Sequence, residues 1–547
     1  MGRKIKIMKT ILALIFTIIF LIGFHTYNYL EIQSLKFSDK WGRGIEVGKA
    51  FVNREPIIGT YKDKLLIATF NKEGRLLCYL ISKTGKVLES NLSNEDININ
   101  RIKNIYLFEN KLFYVKDNKL KLSYYNEETG FTESVKLLDN IKGFTLSKIQ
   151  DELYIGTYGD KNIDIYKFEN DELKRIYEMN NKWNVRNIYL KEVNGGKYVF
   201  IADKADLNVN DILLVRFDKL DNEAKKIMNI KSGFNDVIKD IKIEIVDNKI
   251  FFAYLVTNTK SRSRTYLELK VLNAETFNLE VSKKITDSYI NGVAALGRNS
   301  ISVYKENGKI KIICSGINMR NKYAMYSDIF ELEVDKQGNI LNVIFISNTG
   351  GQSKRPSFIR TEFGDYLAWL DIEVNGYKLF VNSKNKDFIS ENNIYTKNDY
   401  ITAFYRALAS PFYALAFGFL KGMESFLYVL IVFLPVDFIL RKYRIDKENI
   451  KFKIFLSLYI VLNLLLFRST FYSGYTVFFL PSYLKFKFAP YIMPLVLNLI
   501  SGAIIYIFYK DNKKLSYISF LIFFIAVNIY LSSLLYVPFA MTKIILK

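Results

Sequence analysis

The chain has 547 residues, a mean hydropathy of +0.05 and a formal net charge of +22, so it is long enough for two or three domains. One histidine (His25) and two cysteines (Cys78 and Cys314) exclude a multi-histidine zinc site, a CxxC centre and a serine–histidine–aspartate triad away from His25. The basic balance suits an anionic membrane face or envelope polymer, and no Lys/Arg block in the middle is long enough to indicate a nucleic-acid partner. We expect the two cysteines to be buried and unpaired.

The N-terminal segment predicts a membrane anchor. Residues 1–10 carry four positive charges, and the apolar run ILALIFTIIFLIGF follows at 11–24. A cleaved signal peptide is the alternative, but GFHTYNYLEIQ offers no good small-x-small cleavage site. Residues 1–30 are therefore predicted to be an uncleaved anchor with its basic end in the cytoplasm, and residues 31–49, which include GRGIEVG, a linker.

A local pattern recurs seven times between residues 50 and 392: a polar turn followed by a short apolar strand. The copies are KDKLLIATF (62–70), ENKLFYVKD (109–117), QDELYIGTY (150–158), GGKYVFIAD (195–203), DNKIFFAYL (247–255), NGKIKIICS (307–315) and FGDYLAWLD (363–371). Further strands flank each copy, giving about four strands per unit. This period predicts an all-β propeller of about seven blades, with a β-sandwich array as the alternative.

Apolar runs dominate the C-terminal region and predict a helical membrane domain over 422–547. The expected spans are 422–440, 453–468, 489–509 and 515–536. Residues 393–421 are predicted to be a linker and an interfacial helix that starts near Ser410-Pro411; a membrane hairpin over 402–440 is the alternative. Small residues at every fourth position predict a helix-packing face: Ser410, Ala414, Gly418 and Gly422.

Charge counts decide between the two topologies. With a single crossing in 401–440, thirteen Lys/Arg lie on the cytoplasmic side and seven on the outer side; with a hairpin, each side has ten. The first arrangement is favoured, with five crossings and the propeller and C-terminus outside. The loop 441–453 supplies its main cytoplasmic determinants, Arg441, Lys442, Arg444, Lys447, Lys451 and Lys453. Asp437 is expected to pair with Arg441 one turn away.

Three amides, Asn463, Asn498 and Asn528, each lie near the middle of a different predicted span. An amide in hydrocarbon is costly unless it is hydrogen-bonded, so these side chains are expected to face the bundle interior. They predict interhelical contacts; a polar translocation or ligand site is the alternative, but no ionisable partner lies at the same depth.

These features predict a multi-pass plasma-membrane protein. The first hypothesis is a non-enzymatic protein whose exported propeller binds a partner protein or anionic envelope polymer, with lipid contacts and assembly with other membrane subunits through its helices. The second is an enzyme that uses carboxylates in the propeller channel on envelope glycans or glycolipids, favoured by an Asp/Glu cluster and disfavoured by a basic opening. The third is a subunit of a transport or secretion complex. No cofactor and no metal are expected, and no catalytic residue can be assigned.

Overall fold

The chain folds as two units, Phe37–Ile394 and the combination of Met1–Lys36 with Tyr395–Lys547, and each is described by itself. The structure is a computed structural model. It describes residues 19–20, 22–30, 40–93, 97–206, 208–219, 223–233, 235–260, 265–285, 293–294, 300–318, 327–347, 349, 351–443, 445, 448–472, 480, 482–484, 486–511 and 516–540. The predicted anchor over 1–30 falls mostly outside these residues.

The unit Phe37–Ile394 consists of seven antiparallel sheets, the blades. Blade 1 comprises β2 (Ile57–Tyr61), β3 (Lys64–Phe70), β4 (Leu76–Ile81) and β5 (Val87–Leu92). Blade 2 comprises β6 (Ile102–Phe108), β7 (Lys111–Lys116), β8 (Lys119–Asn126), β9 (Gly130–Phe131) and β10 (Val135–Leu138). Blade 3 comprises β11 (Gly143–Ile149), β12 (Glu152–Tyr158), β13 (Asn162–Glu169) and β14 (Glu172–Asn180).

The remaining four blades repeat this arrangement. Blade 4 comprises β15 (Val185–Val193), β16 (Gly196–Asp206), β17 (Val209–Arg216) and β18 (Lys225–Lys231). Blade 5 comprises β19 (Asp236–Val246), β20 (Lys249–Asn258), β21 (Thr265–Asn273) and β22 (Leu279–Ile285). Blade 6 comprises β23 (Val293–Ala294), β24 (Ile301–Glu306), β25 (Lys309–Asn318), β26 (Ser327–Val334) and β27 (Ile340–Phe345). Blade 7 comprises β28 (Ser353–Thr361), β29 (Gly364–Glu373), β30 (Gly376–Ser383) and β1 (Ile45–Ala50).

The blades form a closed ring. The inner strands β2, β6, β11, β15, β19, β24 and β28 each contact the next, and β28 returns to β2. An apolar cluster fills the space between every pair of adjacent blades; Leu65 and Ile67 of blade 1, for example, pack with Tyr366 and Leu370 of blade 7. A single twisted sheet cannot cover both of its faces, and the ring buries them. The predicted seven-bladed propeller is confirmed.

The turn chemistry explains why the repeat is visible in the sequence. The seven predicted apolar strands are β3, β7, β12, β16, β20, β25 and β29, the second strand of each blade. The hairpin before each of them contains a residue with positive φ, such as Glu109, Asp247 or Gly308. Short hairpins need that backbone conformation, which Asn, Asp and Gly adopt most easily. Cys78 and Cys314 are both buried, as predicted.

Blade 7 is completed by a strand from the other end of the unit. β1 pairs antiparallel with β30, from Ile45 opposite Val381 to Ala50 opposite Tyr377. The sequence placed residues 45–49 in a linker, and this is corrected. The partner strand lies more than 300 residues away, so no local hairpin pattern marks β1.

The other unit contains long helices, preceded in the chain by the short helix α1 (Lys386–Asn392) of the propeller unit. They are α2 (Lys397–Lys442), α3 (Glu448–Phe471), α4 (Ala489–Asp511) and α5 (Tyr517–Ala540); residues 22–30 are also helical. Four segments in the described part of the chain are long and apolar enough to cross a membrane: Lys397–Leu420, Ile450–Phe471, Ala489–Tyr506 and Ser519–Val537. Three of them overlap the predicted spans 453–468, 489–509 and 515–536. The fourth, Lys397–Leu420, lies in the part predicted to be a linker and interfacial helix, before the predicted span 422–440.

Helix α2 differs from the prediction for 401–440. It is continuous over 46 residues and begins with a capping box formed by Thr396 and Asp399, not at Ser410. The hairpin alternative required a chain reversal that α2 does not contain. Pro411 lies inside the helix, where it cannot donate to the carbonyl of Ala407, and the Ser410 hydroxyl donates to that carbonyl at 2.7 Å instead.

The predicted helix-packing face lies mainly in the interior of the helical unit. Ser410, Ala414 and Gly418 are buried, and a Cβ at Gly418 would lie 3.3 Å from the Ser533 hydroxyl of α5. Small residues therefore bring α2 and α5 close together. The surroundings of Gly422 are outside the described part of the chain.

Candidate functional site

Charged and aromatic side chains from five blades interact electrostatically around the propeller axis. We call them the axial cluster: Arg54 and Glu55 before β2, Tyr106 on β6, Arg186 and Tyr189 on β15, Asp240 and Lys242 on β19, and Arg355 on β28. Lys242 of blade 5 interacts electrostatically with Glu55 of blade 1 and Tyr106 of blade 2. Groups on such distant blades can interact only across the axis of the ring.

Backbone irregularities place several of these side chains. The inner strands β15, β19 and β28 each carry a bulge, at Arg186, at Asp240–Ile241 and at Arg355–Pro356, opposite one fewer residue of the paired strand. Asp240 and Arg355 have positive φ values of 49° and 58°, which are uncommon for residues other than glycine. A bulge redirects a side chain, and such strain is retained where the surrounding structure requires it.

Both carboxylate oxygens of Asp240 have partners. One of its oxygens lies 3.0 Å from the Lys242 ammonium, and the other accepts a 2.6 Å hydrogen bond from the Ile301 amide. In blade 7, the Arg355 guanidinium donates to the Asn53 side chain at 3.3 Å. Asp240 is therefore held in place by a backbone hydrogen bond as well as by an ion pair.

Desolvation inside the ring shifts the pKa values of this cluster. It raises the pKa of Glu55, although Lys242 and Arg355 oppose the shift. It also lowers the pKa of Arg54 and of Arg186. Desolvation disfavours the charged form of Lys242, but the carboxylates of Asp240 and Glu55 outweigh it and raise the pKa of that ammonium. These side chains are half-buried, and their partial removal from bulk water strengthens the charge interactions among them.

The axial cluster has an excess of positive charge. Four cationic side chains (Arg54, Arg186, Lys242 and Arg355) face two carboxylates, those of Glu55 and Asp240, together with the phenols of Tyr106 and Tyr189. Arginine binds carboxylate or phosphate groups bidentately, and phenols add hydrogen bonds and flat contact surfaces. The arrangement is suited to binding an anionic, hydroxylated ligand. Within the described ranges, no group of three or more His, Cys, Asp and Glu residues could hold a metal ion.

A second charged group, the seam network, lies where the chain enters and leaves the propeller. The fully buried Glu331 carboxylate accepts hydrogen bonds from Trp41 at 2.9 Å and Tyr304 at 2.5 Å, and lies 3.1 Å from the Lys384 ammonium. Lys311 lies 3.5 Å from the other oxygen of Glu331. Because Trp41 precedes β1 and Lys384 follows β30, this carboxylate joins the two ends of the ring. Its contacts indicate a structural role.

In the helical unit, Asn463, Asn498 and Asn528 lie within hydrogen-bonding distance of one another. Asn463 donates to Asn528 at 2.9 Å, and Asn528 donates to Asn498 at 3.1 Å. Asn528 also accepts from the Tyr459 hydroxyl at 3.2 Å and donates to Ser501 at 3.3 Å. These bonds connect α3, α4 and α5.

The proposed topology determinants are only partly described. Arg441 and Lys442 are exposed at the end of α2, and Lys451 and Lys453 lie in the first turns of α3; Arg444 and Lys447 fall outside the described residues. Asp437 pairs with Arg441 at 2.7 Å, as predicted, and lies 3.4 Å from Lys451.

The axial cluster could not be found from the sequence. Its members are spaced irregularly over some 300 residues, and which inner-strand side chains meet depends on ring closure and on the bulges. The one local signal is a charged residue at or beside an irregular first strand, as in Arg355-Pro356, and charged residues are too common in this chain for that signal to stand out.

No protein-family model matches the chain, and no curated protein matches it. Several solved structures are similar. The WD40 domain of Toxoplasma gondii coronin matches with a TM-score of 0.40 and 10% identity over 66% of this chain and 88% of that one. Polysaccharide lyase Uly1 matches with a TM-score of 0.43 and 10% identity over 61% and 90%. The Dos1 propeller matches with a TM-score of 0.33 and 10% identity over 63% and 87%. These similarities assign no activity to the chain.

Proposed function

We propose that this is a membrane-anchored binding protein whose propeller lies outside the cytoplasm and binds an anionic envelope polymer, or an anionic segment of a partner protein, at the axis. The observation that carries the proposal is the excess of cationic groups in the axial cluster. Export of the propeller and residues 1–30 as an anchor are supported by the charged N-terminus and by the Lys/Arg bias of the predicted loops. The C-terminal helices hold the protein in the plasma membrane.

The proposal is tested with full-length protein in detergent and three polymer probes. Poly-glutamate offers carboxylates, polyphosphate offers phosphates and dextran is neutral. We expect both polyanions to bind and dextran not to bind. The double variant Arg186→Gln/Arg355→Gln removes two axial cations and should weaken binding by about tenfold or more, the value of one charge-assisted hydrogen bond.

The matched control is Lys161→Gln/Lys182→Gln, which removes the same net charge from exposed positions of the propeller. It should leave the polyanion affinity within about twofold, because exposed, isolated charges are screened by salt. Equal losses in the two double variants would mean that the polymers bind to general surface charge, and the axial proposal would then be wrong.

Glycan cleavage is a second candidate function, because the axial cluster contains two carboxylates and the pKa of one, Glu55, is raised. Asp240 is already held by Lys242 and the Ile301 amide, which makes it a poorer base or nucleophile. The same incubations, carried out with an anionic glycan, distinguish the two functions. Release of shortened chains that stops in Glu55→Gln would establish the enzyme; binding without release supports the binding protein.

A further inference from the structure

The helical unit contains a small cavity that the propeller function does not use. It has a volume of about 60 Å³, is partly open, and lies among α2, α3 and α5. Its apolar wall includes Val429, Leu462, Leu466 and Phe467. Its polar wall consists of Tyr428, Tyr459, Asn463, Thr470, Asn528 and the pair Ser532 and Ser533. None of these lining residues is ionisable near neutral pH, so the cavity is polar but uncharged.

Two hydroxyl groups in the wall are left without a partner. Ser532 is 4% exposed and Ser533 is fully buried, and neither hydroxyl has a hydrogen-bond partner among the residues that the structure describes. A serine inside a helix commonly donates to the carbonyl four residues earlier, as Ser501 does to Leu497 at 2.7 Å. Ser532 and Ser533 do not, although they lie in the same bundle.

An unpartnered buried hydroxyl costs about 1–3 kcal/mol, so two neighbouring ones form an expensive arrangement if nothing occupies the cavity. The adjacent amide cannot satisfy them, because the oxygen of Asn528 already accepts from Asn463 and Tyr459 and its nitrogen donates to Asn498 and Ser501. The cavity has room for about two water molecules or for the polar end of a larger molecule.

We propose that the cavity binds the hydroxyl-bearing head of a neutral lipid of the diacylglycerol type. A neutral head fits because no charged side chain of the wall could pair with an ionic group at this depth. A lipid fits because the wall combines hydrogen-bonding groups with apolar ones, and because α3 and α5 contain segments long enough to cross a membrane. The inference is independent of the axial cluster and stands whether or not the propeller binds polyanions.

The test uses full-length protein in phosphatidylcholine vesicles that contain a diacylglycerol with a photoactivatable group on one acyl chain. Illumination followed by peptide mapping should place the crosslink on residues 459–471, 528–533 or 428–429. Unlabelled diacylglycerol should compete for this labelling, and the anionic lipid phosphatidylglycerol at the same concentration should not. This competition needs no variant and is therefore unaffected by folding defects.

The variant Ser532→Ala/Ser533→Ala removes both hydroxyls and should reduce specific labelling by at least about threefold, a modest value for hydrogen bonds within a membrane. The control Ser516→Ala/Ser519→Ala changes two exposed serines of the same region that hydrogen-bond to each other at 3.0 Å, and should label like the wild type. Labelling that is absent, that phosphatidylglycerol displaces equally well, or that survives unchanged in Ser532→Ala/Ser533→Ala would overturn the proposal and leave water as the occupant.

Discussion

Glu331 connects the two ends of the propeller ring. Its carboxylate is fully buried and contacts Trp41, Tyr304, Lys311 and Lys384. Desolvation opposes its charged form, but Lys384 and the hydrogen bonds from Tyr304 and Trp41 keep its pKa below the ordinary value. A buried ion group of this kind adds little net stability as a whole, yet removing one partner leaves the others buried and uncompensated.

Glu331→Ala is therefore expected to lower the free energy of unfolding of the propeller by about 3–5 kcal/mol. The three tryptophans, Trp41, Trp183 and Trp369, all lie in this unit, so urea unfolding followed by tryptophan fluorescence reports on it. Glu169→Ala is the control, because Glu169 is 60% exposed and its carboxylate lies 3.1 Å from the ammonium of Lys167 at the surface of blade 3. Equal unfolding midpoints for the two variants would show that the contacts of Glu331 in the seam network do not stabilise the propeller.

At the same scale, the sequence distinguished the membrane amides but not the axial charges. The membrane amides stand out because each is a polar side chain inside an apolar run, where a group without a hydrogen bond is costly. They are Asn463, Asn498 and Asn528. Their hydrogen-bond partners Tyr459 and Ser501 carry no such signal, since tyrosine and serine are ordinary residues in a membrane helix. Glu55 and Arg186 are single charges among many, and only the folded ring brings them together.

Among the elements, β1 is a strand that no local sequence pattern predicts, and its pairing with β30 completes blade 7. Its Gly48 lies against the ring of Tyr79, where an added Cβ would come within 2.3 Å of ring atoms. The Tyr79 hydroxyl also accepts from the Lys49 amide at 2.9 Å and donates to the Lys49 carbonyl at 2.8 Å. β1 therefore connects blade 7, through its pairing with β30, to blade 1.

Gly48→Leu should displace β1 and open blade 7, because the new side chain would overlap Tyr79 and neighbouring backbone hydrogen bonds would be lost. We expect a loss of at least about 2 kcal/mol in unfolding free energy and faster proteolysis near the N-terminal end of the propeller. Glu46→Leu adds the same side chain two residues earlier on the same strand, at an exposed position, and should change stability by less than about 1 kcal/mol. If both variants resist protease like the wild type, β1 is not essential for closure.

The elements that could be predicted are those whose cause is local. The second strand of each blade combines a positive-φ turn with a short apolar run, so both signals lie within about ten residues. β1 pairs with a strand more than 300 residues away, so the local sequence of residues 45–49 predicts a linker and not a strand. Ser410-Pro411 predicts a helix start, because proline is common in the first turn of a helix. In the structure the Ser410 hydroxyl donates to the carbonyl that the missing amide of Pro411 leaves free, and the helix continues.

For the whole molecule, α2 decides which membrane arrangements are consistent with the fold. A continuous helix of 46 residues is about 69 Å long and contains no reversal between residues 401 and 440. If it crosses a membrane, it does so once, and the chain before residue 397 and the chain after residue 442 lie on opposite sides. The same conclusion follows from the Lys/Arg counts, which depend on charge and not on geometry.

This predicts opposite labelling of two engineered cysteines in a background without Cys78 and Cys314. Lys161→Cys replaces an exposed residue in a turn of blade 3, and Lys442→Cys replaces an exposed residue at the end of α2. In intact cells, a membrane-impermeant maleimide should label position 161 and not position 442. In permeabilised cells both should be labelled, which shows that each thiol is accessible. Labelling of both positions in intact cells would mean that α2 does not cross, while protection of position 161 alone would place the propeller in the cytoplasm and remove envelope polymers as its ligands.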